Sequence, residues 1–277
     1  MPAPDQQLKE IQGIQLAMLK ALIGICEKHR LRYFLLGGSA LGAVRHQGVI
    51  PWDDDIDVGM PRPDYDRFLA VAQAELAAHY FLQSYDTDPS YPLSFSKIRN
   101  SNTAFIQPNV AHLNMNHGVF IDVFPLDGCS QSIVLRKIQM FRFSLYRTAV
   151  LHKLGIKHAQ RIARMIVACY AALRSLAALR NRNERLMRQY NYDASVFVMN
   201  WGGAWGLKEA MPKHFFGKGR RVIFEESSVN IPQDYHGYLT SLYGDYMMPP
   251  PIEGRKAHAA GVIDTRNSFR NYVGGSQ

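Results

Sequence analysis

Helical periodicity marks the start of the chain. Apolar residues recur every three or four positions over residues 5–29, which predicts a helix with one buried face. Residues 32–36 (RYFLL) form a short apolar run that is typical of a buried strand. A glycine pair interrupts this run, and Ser39 is the predicted N-cap of a short helix that extends to about Arg45.

Strict alternation follows this helix. In residues 55–60 (DIDVGM) apolar positions alternate with polar or small ones. Alternation predicts a strand, and it places the carboxylates of Asp55 and Asp57 on the same face. Two prolines end the strand, and an alanine-rich helix is predicted over residues 63–80, beginning near Asp64.

Short apolar segments separated by turn residues predict further strands. These strands are expected at 81–85, 94–99, 103–107, 118–124, the first half of 195–206, and 220–225. Long helices are expected over 131–190, and a short helix over 233–244 that ends at a glycine. The last dozen residues carry no such pattern and are expected to be frayed.

The basic charge of the protein is concentrated in one segment. The chain has 32 Lys and Arg against 23 Asp and Glu, a net charge of +9. Residues 131–190 contain 13 of the basic residues and one acidic residue, Glu184, whereas the remaining 19 basic and 22 acidic residues nearly balance. The basic excess therefore needs a local explanation.

Three explanations of this segment are open. Its second predicted helix has an apolar stripe, with arginines mainly on the opposite side; the stripe consists of Ile162, Ile166, Cys169, Leu173 and Leu176. A basic amphipathic helix favours contact with an anionic membrane surface, which is the explanation we expect. A solvated helical lid is the alternative. A nucleic-acid partner is not expected, since no binding motif occurs and aromatic residues do not interleave with the basic ones.

Cysteine usage and hydropathy exclude several classes of protein. Cys26, Cys129 and Cys169 lie far apart, so neither a zinc knuckle nor a disulfide framework is predicted. The N-terminus lacks the features of a secretory signal, and no window of about 18 uncharged apolar residues occurs. We expect a cytoplasmic protein, peripheral at the inner face of the membrane if the basic segment binds lipid.

Four aspartates lie within five residues. Asp53, Asp55 and Asp57 would project to one face of an extended segment, whereas Asp54 would point away, to solvent or to a supporting position. Carboxylates this close repel one another unless a cation compensates. Their spacing suits a hard divalent cation, Mg²⁺ or Mn²⁺, bound together with a substrate phosphate. An acidic surface turn is the alternative.

A glycine turn precedes these aspartates and carries a family resemblance. The turn can present backbone N–H groups and a helix N-terminus to a phosphate. Residues 37–69 (GGSALGAVRHQGVIPWDDDIDVGMPRPDYDRFL) contain both features and resemble the signature of the LicD family, which includes the fukutin-type enzymes. Segments 96–105 (SKIRNSNTAF), 118–127 (GVFIDVFPLD) and 242–258 are similar to later parts of the family pattern. The resemblance covers most of the chain except residues 131–190 and the last few residues.

This resemblance implies a fold and an activity. It implies an α+β fold of the nucleotidyltransferase type, with a mixed sheet flanked by helices. Residues 1–130 are expected to form the catalytic core, 131–190 an inserted basic helical segment, and 191–277 a part that completes the core and the substrate site. It also implies transfer of a phospho-alcohol from a CDP-linked donor to a hydroxyl of a cell-surface glycan or its lipid-linked precursor. Phosphocholine from CDP-choline is the bacterial archetype, and animal relatives use CDP-ribitol.

The family pattern also implies a set of site residues. Asp53, Asp55 and Asp57 are expected to bind the metal, and Asp55 and Asp57 are counted with Asp122 as the catalytic carboxylates. Asp122 is either a further metal ligand or the general base that takes the acceptor's proton. The residues expected to bind the donor are Gly37, Gly38, Ser39, Arg45, Lys97, Arg255 and His258.

Each candidate basic residue also has an alternative role. Arg45 is expected to clamp phosphate oxygens, but a surface pair with the nearby acids is the alternative. Lys97 lies on a predicted strand, where lysine is commonly an edge or solvent residue. Arg255 and His258 belong to a C-terminal charge run, which is commonly a solvated face.

The three tryptophans of the chain suggest a way to bind choline. Trp52 adjoins the aspartates, and Trp201 and Trp205 flank a second glycine pair. Aromatic faces hold a quaternary ammonium through cation–π attraction. Core packing is the commoner role of tryptophan, and we expect it for at least one of Trp201 and Trp205.

Two other functions stay open at the level of sequence. A nucleotidyltransferase on the same fold would transfer the NMP itself from an NTP and release pyrophosphate instead of CMP. A non-enzymatic, membrane-associated glycan-binding protein is the other possibility. The presence of all four family carboxylates counts against it.

Overall fold

The structure is built around one large sheet. The computed structural model of the chain describes residues 4–156, 161–249, 251 and 260–272. The helices of this part are α1 (Pro4–His29), α2 (Gly37–Arg45), α3 (Arg62–Glu75), α4 (Ile133–Lys153), α5 (Arg161–Ala172), α6 (Leu176–Met187) and α7 (Tyr235–Tyr243). Its strands are β1 (Phe34–Leu35), β2 (Asp57–Pro61), β3 (Tyr80–Gln83), β4 (Ser96–Asn100), β5 (Ala104–Ile106), β6 (Val119–Cys129), β7 (Phe197–Asn200), β8 (Ala210–Pro212), β9 (Arg220–Phe224), β10 (Ser227–Ile231) and β11 (Val262–Asp264).

Strand β6 is the centre of the large sheet. The strand order is β1-β2-β6-β4-β3, and the C-terminal end of β6 also pairs with β7, which in turn pairs with β8. β2 is parallel to β6, whereas β4 and β7 are antiparallel to it. Every side chain of β6 is buried, as expected for a strand that is covered on both faces. The mixed sheet with flanking helices confirms the predicted fold class.

Helices α1 and α3 pack together against the sheet. Met18 and Leu22 of α1 and Phe68 of α3 are fully buried, as the helical periodicity predicts. At the first residue of α3, Arg62 donates two hydrogen bonds to the carboxylate of Asp127 on β6, at 2.6 and 2.7 Å. This bidentate ion pair joins α3 to the central strand.

Several predicted boundaries are wrong. α2 begins at Gly37, so Ser39 lies inside the helix and is not its N-cap. α3 ends at Glu75 and does not continue to residue 80, because Leu76 adopts an extended backbone. β6 continues to Cys129, well beyond the predicted strand, since its pairing with β7 extends the ladder.

The basic segment forms three helices between two paired strands. α4, α5 and α6 connect β6 to β7, which pair directly with each other from Leu126↔Asn200 to Cys129↔Phe197. The predicted apolar stripe of the second helix is wrong as a buried face from Cys169 onward. α5 stops at Ala172, Cys169 and Leu173 are exposed, and Val167 and Ala171 are buried instead. The division of the chain into three units stays a prediction. Among the helices described, none is long and apolar enough to cross a membrane.

Two strands near the C-terminus are not predicted by the sequence pattern. β10 pairs with β9, and β11 pairs with β5. Phe269 then begins a short 3₁₀ turn and is buried against β5. The expectation of a frayed end is therefore wrong for residues 266–272, whereas residues 273–277 lie outside the described part.

Candidate active site

The glycine turn and two of the aspartates meet at the N-terminus of α2. Gly37 has a φ of +49°, which strongly favours glycine. A Cβ atom at Gly37 would lie 3.2 Å from Oδ2 of Asp57, and one at Gly38 would lie 2.7 Å from Oδ2 of Asp53. The hydroxyl of Ser39 accepts a hydrogen bond from the Asp57 N–H at 2.9 Å. The turn therefore allows two carboxylates to approach a helix N-terminus.

The aspartates alternate in exposure, as the sequence predicts. Asp53, Asp55 and Asp57 are partly exposed, whereas Asp54 is 4% exposed. The solvent position predicted for Asp54 is therefore wrong. Its backbone carbonyl accepts a hydrogen bond from Nε2 of Gln15 on α1 at 2.6 Å. Asp54 and Ile56 are buried between the partly exposed aspartates, so the segment packs against the protein on one side.

Three charged residues form a row across three adjacent strands. Asp57 on β2 is the register partner of Asp122 on β6, and Asp122 is the register partner of Lys97 on β4. Register partners project to the same face of a sheet. Lys97 Nζ donates a hydrogen bond to Oδ1 of Asp122. Tertiary structure thus brings together carboxylates that are far apart in the sequence.

Charge and burial together raise the pKa of Asp57 well above its usual value. Burial is the largest cause, because protein atoms surround most of the carboxylate. The negative charges of Asp55, Asp122 and Asp53 add to it, in that order, whereas Lys97 opposes it. A cation or a substrate-bound cation at this position would relieve the repulsion.

Lys97 is a buried cation and not an edge residue. β4 lies between β6 and β3, and the side chain of Lys97 is only 6% exposed. Its ammonium lies 3.5 Å from the ring centroid of Phe120. The pKa of Lys97 is lowered, because burial disfavours the ammonium form more than the carboxylate of Asp122 favours it. The edge or solvent alternative for Lys97 is therefore wrong.

A cavity of about 450 Å³ opens beside the glycine turn. Gly38 and Asp53 form part of its wall, so the cavity directly borders one of the candidate carboxylates. Its aromatic lining consists of Trp52, Trp205, Tyr243 and Tyr246. Trp205 and Tyr243 are in edge-to-face contact, with ring centroids 5.2 Å apart. Aromatic faces next to a carboxylate are a favourable environment for a quaternary ammonium.

The structure buries Trp201 in the interior and places Arg45 at the cavity wall. Trp201 is 3% exposed and packs on Phe143 in a separate apolar cluster, which confirms the core role expected for one tryptophan. Arg45 lines the cavity, and its Nη1 donates a hydrogen bond to the backbone carbonyl of Tyr246 at 2.9 Å. Arg255 and His258, by contrast, lie outside the described residues.

The carboxylates fit a metal site that a phosphate completes. In the described part of the chain, no group of three or more His, Cys, Asp or Glu side chains is arranged so that it could hold a metal ion. Mg²⁺ is commonly held by one or two carboxylates, with substrate phosphates and water as the other ligands. Asp53 and Asp57 at the N-terminus of α2 fit that arrangement. The predicted roles of Asp53, Asp55, Asp57 and Asp122 as metal ligands all stay predictions.

A buried glutamate supports the cavity and was missed in the sequence. Glu209 is 7% exposed, and its Oε1 accepts a hydrogen bond from the Trp205 N–H at 3.3 Å. Burial raises the pKa of Glu209 to about 7, and the hydrogen bond opposes this change. Its signal in the sequence is faint, a single acid after a glycine-rich aromatic segment.

Replacing Glu209 with glutamine is expected to stabilise the protein above neutral pH. Between about pH 4.5 and 7 the folded state keeps a proton that the unfolded state has released, so wild-type stability falls as the pH rises. Glu209→Gln removes this fall, with a gain of at most about 3 kcal/mol near pH 8 and little change near pH 4. Urea unfolding between about pH 4 and 8 measures the free energy of unfolding of both proteins, with Glu226→Gln at an exposed position as the control. If the free energy of unfolding changes with pH in the same way for wild type and Glu209→Gln, the expectation is contradicted.

A known protein family matches the part of the chain that carries the candidate site. Residues 30–146 match the family described as LicD/FKTN/FKRP, nucleotidyltransferase domain. That range contains the glycine turn, all the candidate aspartates and Lys97.

One relative extends the similarity to most of the chain, and two others match short segments. The lipopolysaccharide cholinephosphotransferase LicD of Haemophilus influenzae is 29% identical over 257 residues, which cover 91% of this chain and 95% of that protein. The human ribitol 5-phosphate transferase FKRP is 51% identical over 39 residues, or 14% of this chain and 8% of that protein. An uncharacterised protein of Rickettsia typhi is 41% identical over 54 residues, or 20% of this chain and 18% of that protein.

Proposed function

Since residues 30–146 of this chain belong to the LicD/FKTN/FKRP family of nucleotidyltransferase domains, we propose that the protein is an enzyme that transfers a phospho-alcohol to a glycan. The donor is a CDP-linked alcohol, and the acceptor is a hydroxyl of a cell-surface glycan or of its lipid-linked precursor. The observation that carries the proposal is the approach of Asp53 and Asp57 to the N-terminus of α2. Such a terminus attracts phosphate oxygens, and carboxylates beside it hold the accompanying cation.

The aromatic cavity supports phosphocholine as the transferred group. A trimethylammonium group would contact the faces of Trp52, Trp205, Tyr243 and Tyr246, with Asp53 and Asp245 as nearby negative charges. Ribitol has no positive charge and would need hydrogen-bonding partners instead. The relative that aligns over almost the whole chain is named as a cholinephosphotransferase. The relative named as a ribitol 5-phosphate transferase aligns over only 39 residues.

The transfer is an in-line displacement at phosphorus. The acceptor oxygen forms a bond to the phosphorus of the phosphocholine, the bond from that phosphorus to the CMP oxygen breaks, and the hydroxyl proton passes to a base. We assign the base to Asp122, whose carboxylate Lys97 holds in place. Arg45 lines the cavity and would contact phosphate oxygens of the donor. Mg²⁺ or Mn²⁺, held by Asp53 and Asp57 with Asp55 nearby, would neutralise charge on the transferred and leaving oxygens.

Product analysis and donor binding test this function. The protein is incubated with CDP-choline, Mg²⁺ and a membrane glycolipid extract, and the expected nucleotide product is CMP. Release of pyrophosphate from CTP would instead support transfer of the NMP itself. In a thermal-shift series, CDP-choline with Mg²⁺ is expected to raise the unfolding midpoint more than CDP-ribitol or CDP. Equal shifts with CDP-choline, CDP-ribitol and CDP would argue against binding of choline in the aromatic cavity. They would not contradict the proposed transferase activity.

Removing an aromatic wall of the cavity is expected to weaken binding of CDP-choline selectively. Trp205→Ala loses a cation–π contact of about 1–2 kcal/mol, so the affinity for CDP-choline should fall about 5- to 30-fold. The affinity for CDP-ribitol should change little, and Trp205→Phe should retain most of the binding. Titration calorimetry with both donors measures the difference. A similar loss for both donors would indicate a general structural role of Trp205.

A further inference from the structure

Helix α4 has two apolar faces, and only one of them is covered. Phe143, Tyr146 and Val150 are buried in the interior. On the opposite side of the helix, Val134, Ile138 and Phe141 are 61%, 49% and 71% exposed. They are spaced four and three residues apart, so they form one continuous outward stripe. Exposed apolar stripes of this kind mark contacts with a membrane or with another protein.

A basic groove runs beside this stripe. It has a volume of about 470 Å³ and lies between α4 and α6, with Arg142, Arg182 and Arg185 in its lining and no acidic side chain. Arg142 follows Ile138 by one helical turn, so the groove borders the apolar stripe. None of these three arginines forms an ion pair with a carboxylate of the described residues, although Arg182 donates a hydrogen bond to Tyr170.

Other arginines of residues 131–190 form ion pairs or ring contacts within the protein. Arg188 pairs with Asp66 and with Glu184, the one acidic residue of 131–190. The guanidinium of Arg136 lies over the ring of Phe197. The exposed Lys137 lies next to the stripe and adds to the positive charge of the groove, whereas Arg147 and Lys153 are exposed elsewhere on α4.

We propose that α4 and the adjacent groove dock the protein on an anionic phospholipid surface. The stripe would enter the boundary between headgroups and acyl chains, and Arg142, Arg182 and Arg185 would contact lipid phosphates. A second copy of the chain fits less well, because two such basic faces repel each other. A nucleic acid would match the groove but would leave the apolar stripe in water. The docking surface is independent of the donor cavity and of the proposed transferase activity.

Vesicle flotation of the full chain tests the proposal. The protein is expected to bind vesicles of equimolar phosphatidylglycerol and phosphatidylcholine at low salt, and to bind pure phosphatidylcholine much more weakly. The variant Arg142→Gln/Arg185→Gln should lower the partition constant about 25-fold, roughly fivefold for each arginine. The variant Val134→Ser/Ile138→Ser/Phe141→Ser should lower it on the order of 100-fold and abolish the binding that persists in ~1 M NaCl.

Matched controls distinguish docking by these residues from the general effects of lower net charge, of losing an exposed apolar side chain, and of misfolding. Lys9→Gln/Lys20→Gln on α1 makes the same change in net charge, and Ile223→Ser on β9 removes an equally exposed apolar side chain. Both controls should bind vesicles like the wild type, and all variants should keep the wild-type circular dichroism and the thermal shift with CDP-choline. Absence of binding to anionic vesicles at low salt would overturn the proposal. A dimer that the triple serine variant dissociates, measured by light scattering, would also overturn it.

Discussion

Asp57→Asn is expected to abolish transfer while leaving the fold at least as stable as that of the wild type. The carboxylate lies at the N-terminus of α2 beside Asp53, where it is assigned to hold the cation and the donor phosphate. Loss of this charge should reduce the release of CMP from CDP-choline by roughly a thousandfold or more, equivalent to at least about 4 kcal/mol of transition-state stabilisation. The Mg²⁺-dependent part of the thermal shift with CDP-choline should disappear as well.

The effect of this substitution on stability has the opposite sign. Burial and three neighbouring carboxylates raise the pKa of Asp57, so its ionised form is costly in the folded state. Asparagine removes that charge, and the unfolding midpoint without ligand should rise by about 2–4 °C, the change that ~1 kcal/mol produces in a chain of this size. Asp193→Asn at an exposed position serves as the control. If Asp57→Asn retained transfer activity, the assignment of Asp57 to the active site would be wrong.

Arg62→Met is expected to be the most damaging single substitution for stability. Arg62 is 8% exposed and donates to both oxygens of Asp127, which is 1% exposed, and it also contacts Glu184 at 3.1 Å. Removing one partner of a buried pair leaves an uncompensated charge and costs about 3–5 kcal/mol. Urea unfolding at neutral pH measures the loss.

Three comparisons check the origin of that loss. Arg62→Met/Asp127→Asn removes both charges and should recover much of the stability, as a double-mutant cycle would show. Lowering the pH should also help Arg62→Met, because burial already raises the pKa of Asp127 to about 6 in the wild type, and a protonated carboxyl needs no cation. Arg188→Met removes the partly exposed ion pairs of Arg188 with Asp66 and Glu184 and should cost about 1 kcal/mol or less. A loss of similar size for Arg188→Met would contradict this account.

The local half of the candidate site could be predicted from the sequence. Alternation over residues 53–58 placed Asp53, Asp55 and Asp57 on one side of an extended segment, and the structure shows the same alternation in exposure. The glycine pair predicted a turn and a helix N-terminus close to them. These features depend on backbone geometry over a few residues, which neighbouring residue types largely determine. The sequence predicts Ser39 as an N-cap, but its hydroxyl instead accepts a hydrogen bond from the N–H of Asp57 across the turn.

The other half of the site depends on strand register and on distant chain segments. Lys97 resembles an ordinary strand lysine until β4 pairs with β6 and places it opposite Asp122. Tyr243 and Tyr246 reach the cavity from beyond the basic helices. They lie in the segment 242–258 that resembles the family pattern, but that resemblance did not predict their place in the cavity wall. A shift of one residue in the register of β4 would turn Lys97 to the other face of the sheet, and local sequence does not specify that choice.

By itself, the sequence determined the fold class, the glycine turn beside the aspartates, and the location of the basic excess. The fold class followed from the resemblance of sequence motifs to the LicD family, whereas the glycine turn and the basic excess follow from residue types that are adjacent or clustered along the chain. Only the tertiary structure decided which charges are neutralised and which remain exposed. Arg62 and Arg188 are both arginines near acids, yet one is buried against Asp127 and the other is partly exposed. The difference arises from burial and pairing, which depend on all the segments that pack around a side chain.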